Sequence, residues 1–88
     1  MHAKYVVTDT GINISAFVFP EWETHSDVSQ RLRGQPVSAG FVEVYVVDGQ
    51  VAARVYGYSH SLKLGVGEED QSLILGMLTG LTQTDATS

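Results

Sequence analysis

Two short runs set catalytic residue types side by side. His25-Ser26-Asp27 holds the three side chains of a hydrolytic triad, and Ser59-His60-Ser61 flanks a base with two hydroxyls. Neighbours in a chain do not face one another on a helix, and alternate residues of a strand point to opposite sides. Thr24-x-x-Asp27 reads instead as a capping box, with the threonine hydroxyl accepting from the Asp27 amide, and Ser59 and Ser61 turn away from His60. A serine nucleophile would need its base from elsewhere, such as His25, so no residue is assigned a catalytic role. His2, His25 and His60 lack metal-ligand spacing, and Glu68-Glu69-Asp70 lacks the oxygen-ligand pattern of a calcium loop. Gly65-x-Gly67 precedes a helix as a phosphate loop would, but Glu68 and Glu69 would put negative charge where phosphate binds, so it reads as a hinge. Neither a metal nor a cofactor is expected.

What remains is binding chemistry. Phe41, Tyr45, Arg54, Tyr56 and Tyr58 are the amphipathic rings and guanidinium favoured at protein interfaces and for stacking on planar ligands. Trp22, in the loop Glu21-Trp22-Glu23, reads as a core or lid residue and joins this set at its rim. A second candidate surface is the C-terminal helix, where Ile74, Met77, Leu78 and Leu81 make an apolar stripe wide enough to seal a homodimer or to lie along a sheet. Gly76-x-x-x-Gly80 adds a small-residue notch to it.

The element that positions the first set is a hairpin. FVEVYVV and QVAARVYGY flank Asp48-Gly49, the strongest short signal for a type I′ turn. Counting outward pairs Val47 with Gln50, Val46 with Val51, Val44 with Ala53, Glu43 with Arg54, Val42 with Val55 and Phe41 with Tyr56. One face is then all valine and alanine and belongs to the core. The other carries Phe41, Glu43, Tyr45, Arg54, Tyr56 and Tyr58 and is at least partly wet, with Glu43 and Arg54 directly opposed. Gly57 breaks the alternation, so the strand either bulges there or leaves the sheet.

Before the hairpin, residues 4–8 and 12–19 read as two strands around Asp9-Thr10-Gly11, with Pro20 ending the second. A short helix is expected over 25–33, stopped by Gly34 and Pro36, with Arg31 and Arg33 near its negative end. Glu68, Glu69 and Asp70 open the C-terminal helix. Residues 1–81 make a single α+β domain, an antiparallel sheet of about four strands with both helices on its apolar face. Residues 82–88 read as a polar tail.

Composition bounds the rest. Eighty-eight residues make one domain that buries roughly 60–65% of its unfolded surface. A net charge of −5 opposes nucleic-acid binding, which depends on a basic patch. No cysteine is present, so neither a disulfide nor a thiolate site forms. No leader pattern and no membrane-length apolar run are visible, and cytoplasmic residence is the expectation.

The segments His25-Ser26-Asp27-Val28, Ser38-Ala39-Gly40-Phe41, Gly57-Tyr58-Ser59-His60-Ser61-Leu62-Lys63-Leu64 and Glu69-Asp70 resemble, in order and spacing, short bacteriophage-encoded accessory proteins. The resemblance spans about residues 17–78 and carries over no activity and no functional residue. It implies a phage accessory protein at work in the host cytoplasm. The expected function is non-catalytic binding that inhibits a host protein, a component of host defence being the first hypothesis. The alternative is a dimeric sponge for a small nucleotide-like signalling ligand, with Arg54 pairing its anionic group.

Overall fold

A computed structural model describes residues 1–87, with side chains through residue 79. In chain order the elements are β1 (His2–Asp9), β2 (Ile14–Phe19), α1 (His25–Gln30), β3 (Gln35–Val47), β4 (Gln50–Tyr56), β5 (Tyr58–Ser59), β6 (Leu64–Gly65) and α2 (Asp70–Thr87). The first four strands form one antiparallel sheet in the order β2-β1-β3-β4, and β5 and β6 pair in a small second sheet. The fold class is the α+β arrangement that the sequence implies.

β1 lies in the middle, and its Tyr5, Val6, Val7 and Thr8 are buried in succession, as a strand covered on both faces requires. The turn into β2 is held by Asp9, whose carboxylate accepts from the Gly11 amide at 2.7 Å, and by the Thr10 amide, which donates to Asn13 O at 3.0 Å. On the other side β1 pairs with β3, and the register slips between Val7 and Thr8, because Ser38 and Pro36 are their successive partners. The slip falls beside a proline, which has no amide to give a ladder.

The central hairpin keeps the register counted from its turn, Phe41 with Tyr56 through Val47 with Gln50. Asp48 and Gly49 take φ values of 52° and 78°, the left-handed pair that a type I′ turn demands. The valine face is core only near the body of the sheet. Val42 and Ala53 are buried, but Val46 is 67% exposed. Pairing with β1 explains this: Met1 exchanges backbone hydrogen bonds with Val44, and beyond that rung β3 and β4 have only each other. The hairpin projects.

Both faces of the sheet carry a core. Ala3, Tyr5, Val7, Val42, Ala53 and Ile74 cluster under α2, with Leu73 and Leu78 packed alongside. Val6, Phe19, Ala39 and Val28 form a second cluster, joined by Leu32, Leu62 and Leu64. Since Val6 and Val7 point opposite ways, α1 and the β5–β6 hairpin cover the face opposite α2. The expectation of both helices on one face is corrected here. The hairpin is amphipathic but the sheet as a whole is not, because Val6, Phe19 and Ala39 make the second face apolar too.

Three smaller features follow from local chemistry. α1 stops at Gln30 with Arg31 as its C-cap, and Arg31 and Leu32 donate to Val28 O and Ser29 O in a tightened last turn. The Arg31 guanidinium pairs with Glu23, and the last turn of the helix holds no basic residue. The strand leaves the sheet at Gly57, where φ is 85° and the Phe41 ring occupies the space a Cβ would need. The C-terminal helix runs to Thr87, through residues 82–87 of the expected polar tail. Ser88, the Leu81 side chain of the expected stripe and the surroundings of Gly80 in the expected notch lie outside what is described.

Candidate binding surface

The second face of the sheet supports a run of stacked rings that begins in the core and ends in solvent. Phe19 meets the His25 ring edge-on at 5.5 Å, and His25 meets Phe41 in the same way at 5.7 Å. Phe41 stacks on Tyr56 at 5.7 Å with 22° between planes, across the hairpin rung that pairs them. The Arg54 guanidinium lies 4.8 Å from the Tyr56 ring centre and bonds Glu43 at 3.0 Å. The Tyr56 hydroxyl shares a hydrogen bond of 3.1 Å with His2 Nδ1, and His2 Nε2 lies 3.6 Å from Glu43. Arg54 therefore enters solvent already oriented by a carboxylate and a ring. Its hydrogen bond is the main reason that the Glu43 carboxyl titrates below the usual carboxylate range, despite an opposing desolvation effect.

One rung further out, Tyr45 pairs with Ala52 and is 41% exposed. Four of the six expected binding residues, Phe41, Tyr45, Arg54 and Tyr56, thus occupy one face of one hairpin. Phe41 and Tyr56 are half-buried supports, and Tyr45 and Arg54 are the accessible members. Tyr58 does not share this face. The departure at Gly57 carries it into β5, where its ring packs edge-on against His60 at 5.2 Å. Trp22 is 85% exposed, which excludes the core and leaves the lid of the two places the sequence allows it. With Met1, His2, Ala3, Val18, Phe19 and Pro20 it walls an open apolar cavity of about 330 Å³.

The residues with catalytic types are used elsewhere. His25 is buried, and its Nε2 donates to Gly40 O at 2.8 Å, which ties α1 to β3. Burial, more than any neighbour, lowers its pKa and keeps the ring neutral. Ser59 is also buried and accepts from the Leu62 amide at 3.3 Å, closing the turn between β5 and β6. Thr24 caps α1 as expected, accepting from the Asp27 amide at 3.1 Å. Among the described residues no contact joins a histidine to Ser59 or Ser61, and no three His, Asp or Glu side chains gather as metal ligands. No helix among them is long and apolar enough to cross a membrane.

A buried polar knot escaped the sequence reading. Asp70, at the start of α2, is 3% exposed. It accepts from Tyr5 Oη at 2.6 Å, Ser38 Oγ at 2.8 Å and the Gly67 amide at 2.8 Å. Tyr5 and Ser38 fasten the helix to β1 and β3 and Gly67 closes the turn before it, while Ile74, Leu73 and Leu78 lay the apolar stripe of α2 along the sheet. A second cavity of about 410 Å³, lined in part by Glu68, Glu69, Val37 and Ile14, opens beside the knot.

No protein-family model, no curated protein and no solved structure matches this chain.

Proposed function

We propose that the protein works by binding another protein through the projecting β3–β4 hairpin, with Tyr45 and Arg54 as anchors. The observation that carries this reading is the ladder beneath Arg54, one rung from the exposed Tyr45. Arg54 is held by Glu43 and Tyr56, and Tyr56 by Phe41 and His2, so little side-chain freedom is left to lose on contact. Tyrosine and arginine are the types that dominate interface energetics. The surface is a projecting face, which suits a protein partner. The resemblance to phage-encoded accessory proteins makes a host protein the partner we put first, with inhibition of a defence component as the outcome.

Sequestration of a nucleotide-like ligand has less support, because a ligand of that kind needs a concavity around its anionic group. Neither cavity described above is lined by Arg54, Tyr45 or Tyr56.

The test is capture of host proteins from bacterial extract by the wild-type chain and by the double variant Tyr45→Ala, Arg54→Ala, with quantitative mass spectrometry. One host protein should be retained by the wild type and lost by the variant. The affinity for that protein should drop by roughly 30-fold or more, while the circular dichroism spectrum is unchanged. Equal capture by the variant would remove this face from consideration.

A further inference from the structure

We propose that β2 is a self-pairing edge, and that two copies of this chain join their sheets by antiparallel β2–β2 pairing about a two-fold axis through Ala16.

The backbone sets the register. The turn pair Thr10–Asn13 is hydrogen-bonded, and the ladder then runs through Thr8–Ser15, Val6–Phe17 and Lys4–Phe19 as the pairs bonded toward β1. Ile14, Ala16 and Val18 consequently aim their amides and carbonyls out of the sheet, because β2 is its edge. Antiparallel pairing joins outward-facing residues to outward-facing residues. A two-fold through Ala16 sets Ala16 against its own copy and Ile14 against Val18, so every outward group of β2 finds a partner.

Side chains agree with that register. Ile12 is 89% exposed and lies four positions before Ala16, while Pro20 lies four positions after it. The operation brings Ile12 of each copy beside Pro20 of the other, at the apolar cavity of about 330 Å³ walled by Met1, Val18, Pro20 and Trp22. A cavity of roughly 150 Å³ already takes a benzene ring, so an isoleucine side chain fits. Ile12 and the cavity are thus a knob and a hole on one chain, equidistant from the axis. Charge agrees as well. The protein carries a net −5, yet no residue from Gly11 to Pro20 is charged, so the strand itself brings no like charges together.

Among the described residues, this edge strand carries no charged side chain and no bulge, two of the features that usually blunt an edge. The opposite edge is defended: β4 carries Arg54, the Gln71 side chain accepts the Val55 amide at 3.3 Å, and the chain turns away at Gly57. Since β4 and β2 are opposite edges, the surface proposed for a host partner stays free in the dimer, and the two ideas fail independently. A six-residue strand buries less than the roughly 1,600 Å² of a standard interface, so the dimer dissociates on dilution.

Sedimentation velocity over a concentration series, combined with a cysteine probe, tests this. The wild type should shift from monomer to dimer as concentration rises. Ile12→Lys alters an exposed residue, and Ala16→Pro removes an amide that β1 does not use. Each should raise the dissociation constant at least tenfold while the monomer stays folded by circular dichroism. The chain has no cysteine of its own. In a hydrogen-bonded antiparallel pair the two Cα atoms lie about 5.5 Å apart, within disulfide reach, so Ala16→Cys should cross-link to itself under mild oxidation and Ser29→Cys should not. A wild type that remains monomeric at every concentration overturns the proposal. A dimer that survives both substitutions, or that leaves Ala16→Cys uncross-linked, does the same.

Discussion

Asp70 shows how much one side chain can hold. Its carboxylate is satisfied by Tyr5, Ser38 and Gly67, and removing one donor leaves a buried acceptor short rather than merely losing a contact. Tyr5→Phe should therefore cost about 1–3 kcal/mol, read as a lower urea midpoint. Burial, with Asp70 in support, raises the Tyr5 phenol well above its ordinary value. The stability it contributes is complete below the unfolded pKa of about 10 and is lost only in stronger alkali. His25 works in the other direction. Its folded pKa is lowered, mainly by burial, so its contribution is complete above about 6.5 and is lost as pH falls from there to the folded value. Thermal melts between pH 8 and pH 5 should show this loss, and His25→Gln, which keeps an amide donor for Gly40 O, should flatten that part of the profile. The Thr24 cap was legible in the sequence because donor and acceptor are three residues apart. The Asp70 knot was not, because its side-chain partners lie 65 and 32 positions away and only the tertiary fold brings them together.

At the scale of elements, legibility followed locality. The Asp48-Gly49 turn dictates every rung of β3–β4 by simple counting, and those rungs are observed. The break at Gly57 was visible as a fault in the alternation, but choosing between a bulge and a departure required the Phe41 ring, which sits over Gly57 from the neighbouring strand. Gly57→Ala should cost at least about 1–2 kcal/mol through its positive φ alone, with the clash against Phe41 in addition. A smaller loss in chemical denaturation would mean that the chain turns elsewhere. Helix α1 was overextended by three residues for a related reason. Leu32 keeps the apolar spacing from Val28 and packs beside it, yet it does so from beyond the C-cap.

For the whole molecule, what the sequence withheld was layering. A sheet with one obvious apolar hairpin face turned out to carry two cores, and the valine stripe fades toward the tip because β1 reaches no further than the rung of Val44. The two ends of that stripe should respond differently to mutation. Ile74→Ala, deep in the α2 layer, should lose about 2–5 kcal/mol, whereas Val46→Thr at the tip should stay within about 0.5 kcal/mol of the wild type. Similar losses at both positions in urea titrations would mean that the hairpin tip is covered.

The central place of β1 also has a consequence in time. His2 is paired with Glu43, so β1 leaves the ribosome well before the strand that covers its inner edge. At 5–20 residues per second the delay is roughly 2–8 s. For the last part of that interval, roughly 1–5 s after Phe19 has emerged, the β1–β2 hairpin shows an open inner edge and two uncovered apolar faces. Successive ribosomes on one message hold many such hairpins close together. The yield of folded protein should therefore fall as ribosomes are loaded more densely on the message or elongate more slowly.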